Sequence, residues 1–527
     1  MARHQLPLGT HTLQKIRNRG CYYVDKTPHI KRLIDAGDSY FLSRPRRFGK
    51  SLLLDTLQEL FEGNEPLFTG LAIHNDWDWS VNYPVVRMSF DNGKYHETGG
   101  LDRNIAYQLK ENEADSGLEP PPELCSGPER FSSLLRRLFH KTGQQVVVLI
   151  DEYDKPMLDV IDNKQLLDAN HKDIRSLYSV IKNNDKYVRF VFVTGVSMFS
   201  KVSLFSELNS LTDISLNPEF ATLCGFTDHD LDTVFPQELE GLDRDKVRQW
   251  YNGYNWLGEE KLYSPHDILH LFNERKFKAH WFKTASPNFL IQLLLQEGLS
   301  LMQLKNYVAS EALITAFDID CIDIKALLFQ TGYLTITAED SSGPETLYTL
   351  DYPNLEVRQS LNRGLFNFVT KNNAGVRQLA DTLCDQLLSH DFNGFIKDLR
   401  SLYAGIPYQW QGKNSPARYE AWYISMLHVV FEANGLDVRV EDATQHGRSD
   451  LILLINSQVF LFEFKMIDNT DDIRKAELAA GKAIEQIVNT GYADKYRRRK
   501  EPIYAIGLVF DRGGKGQKPA AFKAIQV

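Results

Sequence analysis

The stretch SRPRRFGKS, residues 43–51, lies between a short apolar run and a helical pattern of apolar residues over 52–61. A loop between a strand and a helix N-terminus can bind phosphate through backbone N–H groups, a lysine and a magnesium-ligating hydroxyl. Gly49, Lys50 and Ser51 supply these parts in the required order. We therefore predict a phosphate-binding loop with ATP as its ligand, whose contacts come from Arg46, Arg47, Phe48, Gly49, Lys50 and Ser51.

One position of this loop departs from the generic pattern G-x-x-x-x-G-K-[ST]. Arg44 stands where the pattern has its first glycine. Together, Arg44, Arg46 and Arg47 bring guanidinium groups that can stabilise phosphate charge, bind nucleic acid or pair with surface carboxylates. We favour the first of these roles, and the other two stay open.

Two carboxylates follow an apolar run about 100 residues further along the chain. The run over 146–150 leads directly into Asp151 and Glu152. At the end of a buried parallel strand, Asp151 can join Ser51 in holding Mg²⁺, and Glu152 can orient or deprotonate an attacking water. A third apolar run ends in Thr194, which we predict to sense the outer phosphate, with Ser197 as the second choice.

Short β-branched or aromatic runs alternate with helical patterns through the first half of the chain. This alternation indicates crossover units around a mostly parallel sheet. The apolar residues of 166–184 recur at helical spacing, so this helix is predicted to cover one face of the sheet. The predicted fold class is therefore α/β, with an N-terminal P-loop ATPase domain and strands at 40–42, 84–90, 146–150 and 188–193.

The loop and the strand tips together resemble a known family. The strings RPRRFGKS at 44–51 and IDEYDKP at 150–156, with TGV at 194–196, are similar to the AAA-ATPase-like family of prokaryotic proteins. The loop of that family carries arginine and proline where others carry glycine, which accounts for Arg44. The resemblance extends from about Leu6 to Phe282 and implies an ATP-binding domain related to signalling and regulatory ATPases.

The middle of the chain, 226–400, has a mainly helical pattern. Within it, the runs at 333–337 and 346–350 flank a polar turn and predict a hairpin. Helices followed by such a hairpin favour a winged-helix element. We therefore expect three domains: an AAA-ATPase-like domain over 1–225, a helical connector over 226–400 and a nuclease-like α/β domain over 401–527.

The last of these domains contains a second acidic set. Asp450 and the triplet Glu463-Phe464-Lys465 flank a predicted hairpin. Residues two apart in a strand share a face, so Glu463 and Lys465 point together. Two carboxylates and the Phe464 carbonyl can hold Mg²⁺ or Mn²⁺, and the ammonium of Lys465 can position a water for attack on a phosphodiester. This arrangement predicts a metal-dependent nuclease site.

Further residues can extend the nuclease site. Glu420 begins a predicted helix and can bring another carboxylate to the metal, while Gln486 can contact Lys465 or a nucleic-acid backbone. The basic run over 495–500 suits phosphate contacts, and a solvated helix end explains it equally well. The face predicted to pack inward on the Gln486 helix comprises Ala483, Ile484, Ile487 and Val488.

The ordered set Glu420, Asp450, Glu463, Lys465 and Gln486 resembles the PD-(D/E)xK nuclease superfamily, over about 408–510. GRSD at 447–450 takes the place of the Pro-Asp in the name of the superfamily, with the aspartate retained. Since the expected metal and lysine positions are filled, the resemblance implies an active nuclease. The implied partner is nucleic acid, DNA in preference to RNA.

Composition restricts the cellular setting. Lys plus Arg number 60 against 69 Asp plus Glu, so contact with nucleic acid requires a local basic surface. The start of the chain lacks the apolar core of a signal peptide, and no run approaches the ~18 apolar residues of a membrane helix. We expect a cytoplasmic protein with reduced thiols, because its cysteines lie far apart: Cys21, Cys125, Cys224, Cys321 and Cys384.

These patterns favour an ATP-hydrolysing protein coupled to a Mg²⁺-dependent nuclease acting on DNA, with RNA left open. The alternative is a nucleotide-controlled signalling or scaffolding ATPase whose C-terminal domain binds nucleic acid or a partner without cutting. A metabolic phosphotransferase is a poorer candidate, because we find no small-substrate motif. The sequence leaves homo-oligomerisation open, as well as the source of any arginine finger, for which Arg189 is available.

Overall fold

The computed structural model describes residues 4–121, 126–197, 211–281, 290–291, 293–294, 304–315, 323–370, 374–404, 420–444, 447–467, 473–498, 500–511 and 519–527. Contacts between residues divide the chain into two compact units. The first comprises Met1–Ala285 and Asn306–Leu355, and the second comprises Ser286–Lys305 and Glu356–Val527. The predicted division at 225/226 and 400/401 stays a prediction.

The helices and strands are numbered in chain order within the described residues. Helices up to the end of the first unit are α1 (Leu13–Asn18), α2 (Thr27–Ala36), α3 (Lys50–Phe61), α4 (Gly100–Asp115), α5 (Gly127–Thr142), α6 (Lys155–Leu158), α7 (Lys164–Asn183), α8 (Asp228–Val234), α9 (Pro236–Leu239), α10 (Arg244–Tyr251), α11 (Pro265–Glu274), α12 (Glu311–Thr315) and α13 (Ile324–Gln330). The remaining helices are α14 (Leu355–Val369), α15 (Ala374–Leu388), α16 (Phe392–Ala404), α17 (Glu420–Ala433), α18 (Ile473–Asn489) and α19 (Asp494–Arg497).

Strands occur in both units. Those of the first are β1 (Ser39–Ser43), β2 (Val85–Ser89), β3 (Val146–Asp151), β4 (Val188–Gly195), β5 (Thr212–Asp213), β6 (Asn252–Tyr254), β7 (Leu262–Tyr263), β8 (Tyr307–Ser310), β9 (Thr335–Asp340) and β10 (Leu347–Asp351). Those of the second are β11 (Asp437–Thr444), β12 (Gly447–Ile455), β13 (Gln458–Ile467), β14 (Ile503–Asp511) and β15 (Pro519–Gln526). Short 3₁₀ turns lie at Glu65–Phe68, Ala72–Asn75, Asp185–Tyr187 and Pro218–Phe220.

A parallel sheet forms the centre of the first unit. Within the described residues it has five strands in the order β2-β3-β4-β1-β5, and every neighbouring pair is parallel. All six residues of β3 are buried, as expected for a parallel strand covered on both faces. The predicted helix over 166–184 is observed as α7, with Leu167, Ile174, Leu177 and Ile181 buried. The α/β fold class is confirmed.

Two smaller sheets complete the described part of the first unit. β9 and β10 form the predicted antiparallel hairpin, and β8 pairs with the other edge of β10. The short helices α12 and α13 precede this hairpin. β6 pairs with β7, and both lie between α10 and α11.

The second unit carries a mixed sheet in the order β11-β12-β13-β14-β15, counted over the described residues. β13 and β14 are parallel, whereas the other neighbours are antiparallel. β15 follows β14 and pairs with it at the sheet edge, and the sequence patterns did not predict this strand. Its sequence PAAFKAIQ alternates only weakly, with Pro519 and Ala521 buried, so it carries a poor strand signal.

Within the described ranges, none of the helices combines the length and the apolar character needed to cross a lipid bilayer. Among the described cysteines, Cys21, Cys224 and Cys384 are in no disulfide. Cys125 and Cys321 lie outside the described residues.

Candidate functional site

The carboxyl ends of three parallel strands meet at one edge of the first sheet. β4 lies between β1 and β3, with Leu42 opposite Thr194 and Ile150 opposite Val193. The Thr194 hydroxyl donates a 2.6 Å hydrogen bond to Asp151 Oδ1, and both side chains are buried. Thr194 therefore orients the Asp151 carboxylate, while its predicted contact with the outer phosphate stays a prediction.

Lys50 is the first residue of α3 and follows Gly49, whose φ of 96° lies in the left-handed region that glycine tolerates. The Lys50 ammonium donates to the carbonyl oxygens of Arg44 at 3.0 Å and Pro45 at 3.1 Å. Its side chain is only 4% exposed. The loop thus encloses the lysine at the N-terminus of α3, where backbone N–H groups and the helix dipole favour an anion.

Arg44 does not serve the phosphate role that we favoured for the three arginines. Its side chain is fully buried, and Nη1 donates at 2.8 Å to the carbonyl oxygens of Ser43 and Ser215. The guanidinium lies over the Trp256 ring, 4.3 Å from the centroid. Burial lowers the pKa of Arg44 to about 10. This arginine instead ties the loop to chain segments far away in the sequence.

Aromatic side chains support the rest of the loop. Phe48 is buried with its ring edge-on to Tyr254, at 4.7 Å, and to Trp256, at 5.2 Å. The Trp281 indole N–H donates to the Arg46 carbonyl at 3.0 Å. We did not predict these supports, although the aromatic string YNGYNW at 251–256 offered a signal.

A cavity of about 520 Å³ opens beside the loop and is lined by Lys50, Ser51 and Glu152. Glu152 has a φ of 52°, unusual for a residue other than glycine, directly after β3. Burial raises the pKa of the Glu152 carboxyl, and the nearby Lys50 charge partly opposes this shift. Arg46 and Arg47 also line the cavity, and Arg47 is exposed.

Ser197, the second choice for phosphate sensing, belongs to a different network. Its backbone N–H and its hydroxyl donate to Asp154 Oδ2 at 2.6 and 2.7 Å, and Val196 donates to the same oxygen. The Tyr153 hydroxyl donates to the Ser197 carbonyl at 2.9 Å. These buried bonds connect the ends of β3 and β4, so Ser197 has a structural role here.

In the second unit, the acidic set meets between β12 and β13. The antiparallel ladder ends with Leu451 paired with Phe462, so Asp450 and Glu463 are the residues next to its last pair. Asp450 Oδ2 accepts a 2.7 Å hydrogen bond from the Phe464 backbone N–H. The structure therefore brings Asp450 beside the Glu463-Phe464-Lys465 triplet.

Lys465 Nζ lies 2.8 Å from Glu463 Oε1. Glu463 is only 1% exposed, whereas the Lys465 side chain is 30% exposed. Phe464 points to the opposite side, where it is buried and stacks with Phe510 at 5.9 Å. The alternation predicted for this strand is thus observed: one face carries the ionic pair and the other face packs in the core.

The additional nuclease residues occupy two helices. Glu420 is the first residue of α17, but its side chain lies outside the described residues. Gln486 is half-buried on α18, which packs against β13, β14 and β15. The predicted inward face of α18 is correct for Ala483, Ile484 and Ile487 and wrong for Val488, which is 51% exposed.

The basic run over 495–500 lies on and after α19. Lys495, Arg497, Arg498 and Lys500 are exposed, and Arg497 pairs with Asp494 at 2.9 Å. Both earlier interpretations, phosphate contact and a solvated helix end, are compatible with this exposure. Arg499 lies outside the described residues.

Comparison with known proteins identifies the family. The chain is 47% identical over 516 residues to a protein of Azotobacter chroococcum mcd 1 named "Uncharacterized protein in vnfD 5'region", covering 97% of each chain. A family model described as "Predicted AAA-ATPase" (AAA-ATPase-like) matches residues 7–205, and one described as "PD-(D/E)XK nuclease superfamily" matches 418–516. The chain belongs to the family of AAA-ATPase-like proteins that carry a PD-(D/E)XK nuclease superfamily domain.

This AAA-ATPase-like protein with a PD-(D/E)XK domain carries both candidate sites inside the matched ranges. The loop, Asp151 and Thr194 lie within the first range, and the set from Glu420 to Gln486 lies within the second. The first match ends well before Phe282, to which we extended the resemblance. No solved structure matches the chain.

Proposed function

We propose that the first unit binds and hydrolyses ATP, and that the C-terminal domain cleaves phosphodiester bonds in DNA with Mg²⁺ or Mn²⁺. The observation that carries the nuclease proposal is the convergence of Asp450 with the Glu463–Lys465 pair. A buried acidic residue beside a lysine amine, with a second carboxylate across the strand pair, is suited to metal-assisted attack on a phosphodiester. RNA as the substrate is an outcome that the test below distinguishes.

For the nucleotide half, the cavity beside the loop has the size of a ligand site, within the usual range of about 300–1,000 Å³. Its lining combines Lys50 and Ser51 with apolar side chains such as Val24 and Phe226, which suits a ligand with charged phosphates and a planar base. Ser51 and Asp151 would hold Mg²⁺, which neutralises phosphate charge when bound. Glu152, with its raised pKa, would accept a proton from the attacking water.

For the nuclease half, Asp450, Glu463 and the Phe464 carbonyl would hold the metal, with Glu420 as a further candidate. The bound ion supplies a Lewis acid and lowers the pKa of a coordinated water. The Lys465 amine would orient the attacking water and stabilise charge on the phosphate. The hydrogen bond from the Phe464 N–H holds the Asp450 carboxylate in place for this role.

The test is a cleavage panel of single-stranded and duplex DNA and RNA, with metal and nucleotide varied independently. We expect wild type to cut DNA with Mg²⁺ or Mn²⁺, and both Asp450→Ala and Lys465→Ala to abolish cleavage while leaving ATP affinity unchanged. Lys397→Ala, which removes an exposed lysine of the same unit, is the matched control and should cut normally. Circular dichroism would verify that each variant is folded.

Absence of metal-dependent cleavage on every substrate, with and without ATP, would contradict the nuclease proposal. A second candidate function then becomes the better one: a nucleotide-controlled scaffold that binds nucleic acid or a partner. The direct Glu463–Lys465 ion pair favours this candidate, because it balances the buried carboxylate without a metal. Nucleic-acid binding that survives in Lys465→Ala, with no cutting by wild type, would support it.

The division into an ATPase domain over 1–225, a helical connector over 226–400 and a nuclease domain over 401–527 is part of this proposal.

Homo-oligomerisation is a further proposal, because an arginine finger from a neighbouring copy is one way to complete an ATPase site. Analytical ultracentrifugation with and without ATP measures it. A monomer under both conditions would contradict it.

A further inference from the structure

Metal-ligating side chains that belong to neither proposed Mg²⁺ site meet at the end of α11. His270 and Glu274 lie one turn apart on this helix, and His280 follows in the segment after it. Glu274 Oε1 lies 3.9 Å from His270 Nδ1 and 3.9 Å from His280 Nδ1. One ligand atom from each of the three residues lies within 4.8 Å of the others.

Neighbouring groups hold this cluster in place. Lys278 Nζ lies 2.7 Å from Glu274 Oε2, so the other oxygen of the carboxylate is the one turned towards the imidazoles. The rings of His270 and His280 are stacked with centroids 5.1 Å apart. His280 is only 4% exposed, whereas His270 is 31% exposed, so the cluster can be reached from one side.

We propose that His270, Glu274 and His280 bind a transition-metal ion of the Zn²⁺ class, separate from the Mg²⁺ sites of the proposed function. Two imidazoles and one carboxylate form a set that Zn²⁺ prefers, whereas Mg²⁺ prefers oxygen ligands. Zn²⁺ bonds of about 2.0–2.1 Å place tetrahedral ligand atoms about 3.3–3.4 Å apart. The two 3.9 Å separations from Glu274 Oε1, and ligand atoms of the two histidines that lie within 4.8 Å of each other, therefore need a closing movement of side chains to reach this distance.

The position of the cluster connects it with the phosphate loop. His280 precedes Trp281, whose indole N–H donates to the Arg46 carbonyl at 3.0 Å. His270 also lines the cavity beside Lys50. An ion bound by the three residues would link α11 to the segment that contains His280 and Trp281, and this segment supports the loop.

Equilibrium dialysis of the full chain against Zn²⁺ with excess Mg²⁺ tests the proposal, in an Asp450→Ala background that weakens the proposed nuclease metal site. We expect one strongly bound Zn²⁺ per chain. Loss of outer-shell partners alone weakens metal sites by about 10–100-fold, so the double variant His270→Ala/His280→Ala should weaken binding by more than about 100-fold. His229→Ala, which removes an exposed histidine of the same unit, should bind as the parent does.

A second variant keeps the proposal testable if the double variant does not fold. Glu274→Gln removes the charge of a partly exposed side chain, and we expect it to fold, to bind Zn²⁺ at least about 10-fold more weakly and to change the visible absorption of bound Co²⁺. Zn²⁺ binding that is undiminished in both variants would overturn the proposal. So would a parent protein that takes up no Zn²⁺ at micromolar concentration.

Discussion

Arg44 shows how a residue that breaks a sequence pattern can support the fold. It replaces a loop glycine, and its guanidinium bonds to main-chain carbonyls of Ser43 and Ser215 while covering Trp256. A buried charge is tolerated only when such partners replace its lost water. The arginine therefore contributes to the stability of the loop on the side of Trp256, and the proposed phosphate-binding part begins later in the loop.

The first prediction follows from this burial. Arg44→Gly restores the generic pattern but removes the buried bonds, so we expect the free energy of unfolding of the first unit to fall by about 2–4 kcal/mol. Arg47→Gly is the matched control in the same loop. Arg47 is exposed with a φ of 70°, so glycine there should be neutral or slightly stabilising. Urea denaturation measures both, and equal losses would contradict the structural role of Arg44.

The second prediction concerns Glu152. A general base must be ionised, and burial raises the pKa of this carboxyl. As the pH is lowered, ATP hydrolysis should therefore begin to decrease at a higher pH than it would with a glutamate of ordinary pKa. Glu152→Gln should retain ATP binding and reduce kcat by about 10²–10⁴-fold. Glu62→Gln, at another carboxyl whose pKa burial raises, is the control and should leave the pH–rate profile unchanged. An acid limb that persists in Glu152→Gln would exclude Glu152 as the base.

At the scale of elements, close packing of α18 on β14 holds the sheet of the second unit. Gly507 on β14 lies directly under the helix, where a Cβ would come within 2.7 Å of the Ala480 carbonyl and 2.8 Å of the Ala483 Cβ. Both of these atoms belong to α18 and cannot move independently of the rest of the helix. The glycine therefore sets how closely α18 approaches the strands that carry the candidate nuclease residues.

The third prediction compares Gly507 with a glycine of α18 that lies outside this contact. Gly507→Ala should force α18 away from β14 and destabilise the second unit by about 1–3 kcal/mol. Gly481→Ala, within α18 and with open space around its Cβ, should stabilise it by about 0.5–1 kcal/mol. Thermal unfolding followed by circular dichroism measures the difference. Two substitutions of equal effect would show that the contact is not close.

At the scale of the whole molecule, the proposed ATP site and the proposed nuclease site belong to different compact units. Lys50 and Glu152 belong to the first unit, and Asp450, Glu463 and Lys465 belong to the second. Each unit also has a sheet of its own, so each can bury a core. Chains of this organisation commonly depart from two-state unfolding.

The fourth prediction is that calorimetry resolves two unfolding transitions and that ATP with Mg²⁺ raises the midpoint of only one. A ligand at 100 times its Kd stabilises the bound unit by about 2.7 kcal/mol. Lys50→Ala should abolish the shift, because it removes the amine enclosed by the loop. Lys31→Ala, which removes a partly exposed lysine paired with Asp35, should retain it. An unchanged ATP shift in Lys50→Ala would contradict the phosphate-loop assignment.

Local patterns were sufficient for much of this protein. The apolar runs of β3 and β4 and the polar residues at their ends are short-range features, as is the two-residue spacing of Glu463 and Lys465. Backbone conformation repeats over two residues in a strand and over 3.6 in a helix, so it leaves a periodic signal in the chain. The fold class followed from these signals, as did the placement of Glu463 and Lys465 on one face of β13.

Other features depend on groups that are far apart in the chain. Arg44 donates to the Ser215 carbonyl about 170 residues away, and the Arg46 carbonyl accepts from the Trp281 indole N–H. β15 has little periodicity of its own and is ordered by pairing with β14. Which groups become partners depends on packing in three dimensions, because a buried polar group hydrogen-bonds to a donor or acceptor that the fold places beside it. Local sequence patterns therefore do not predict these long-range partners.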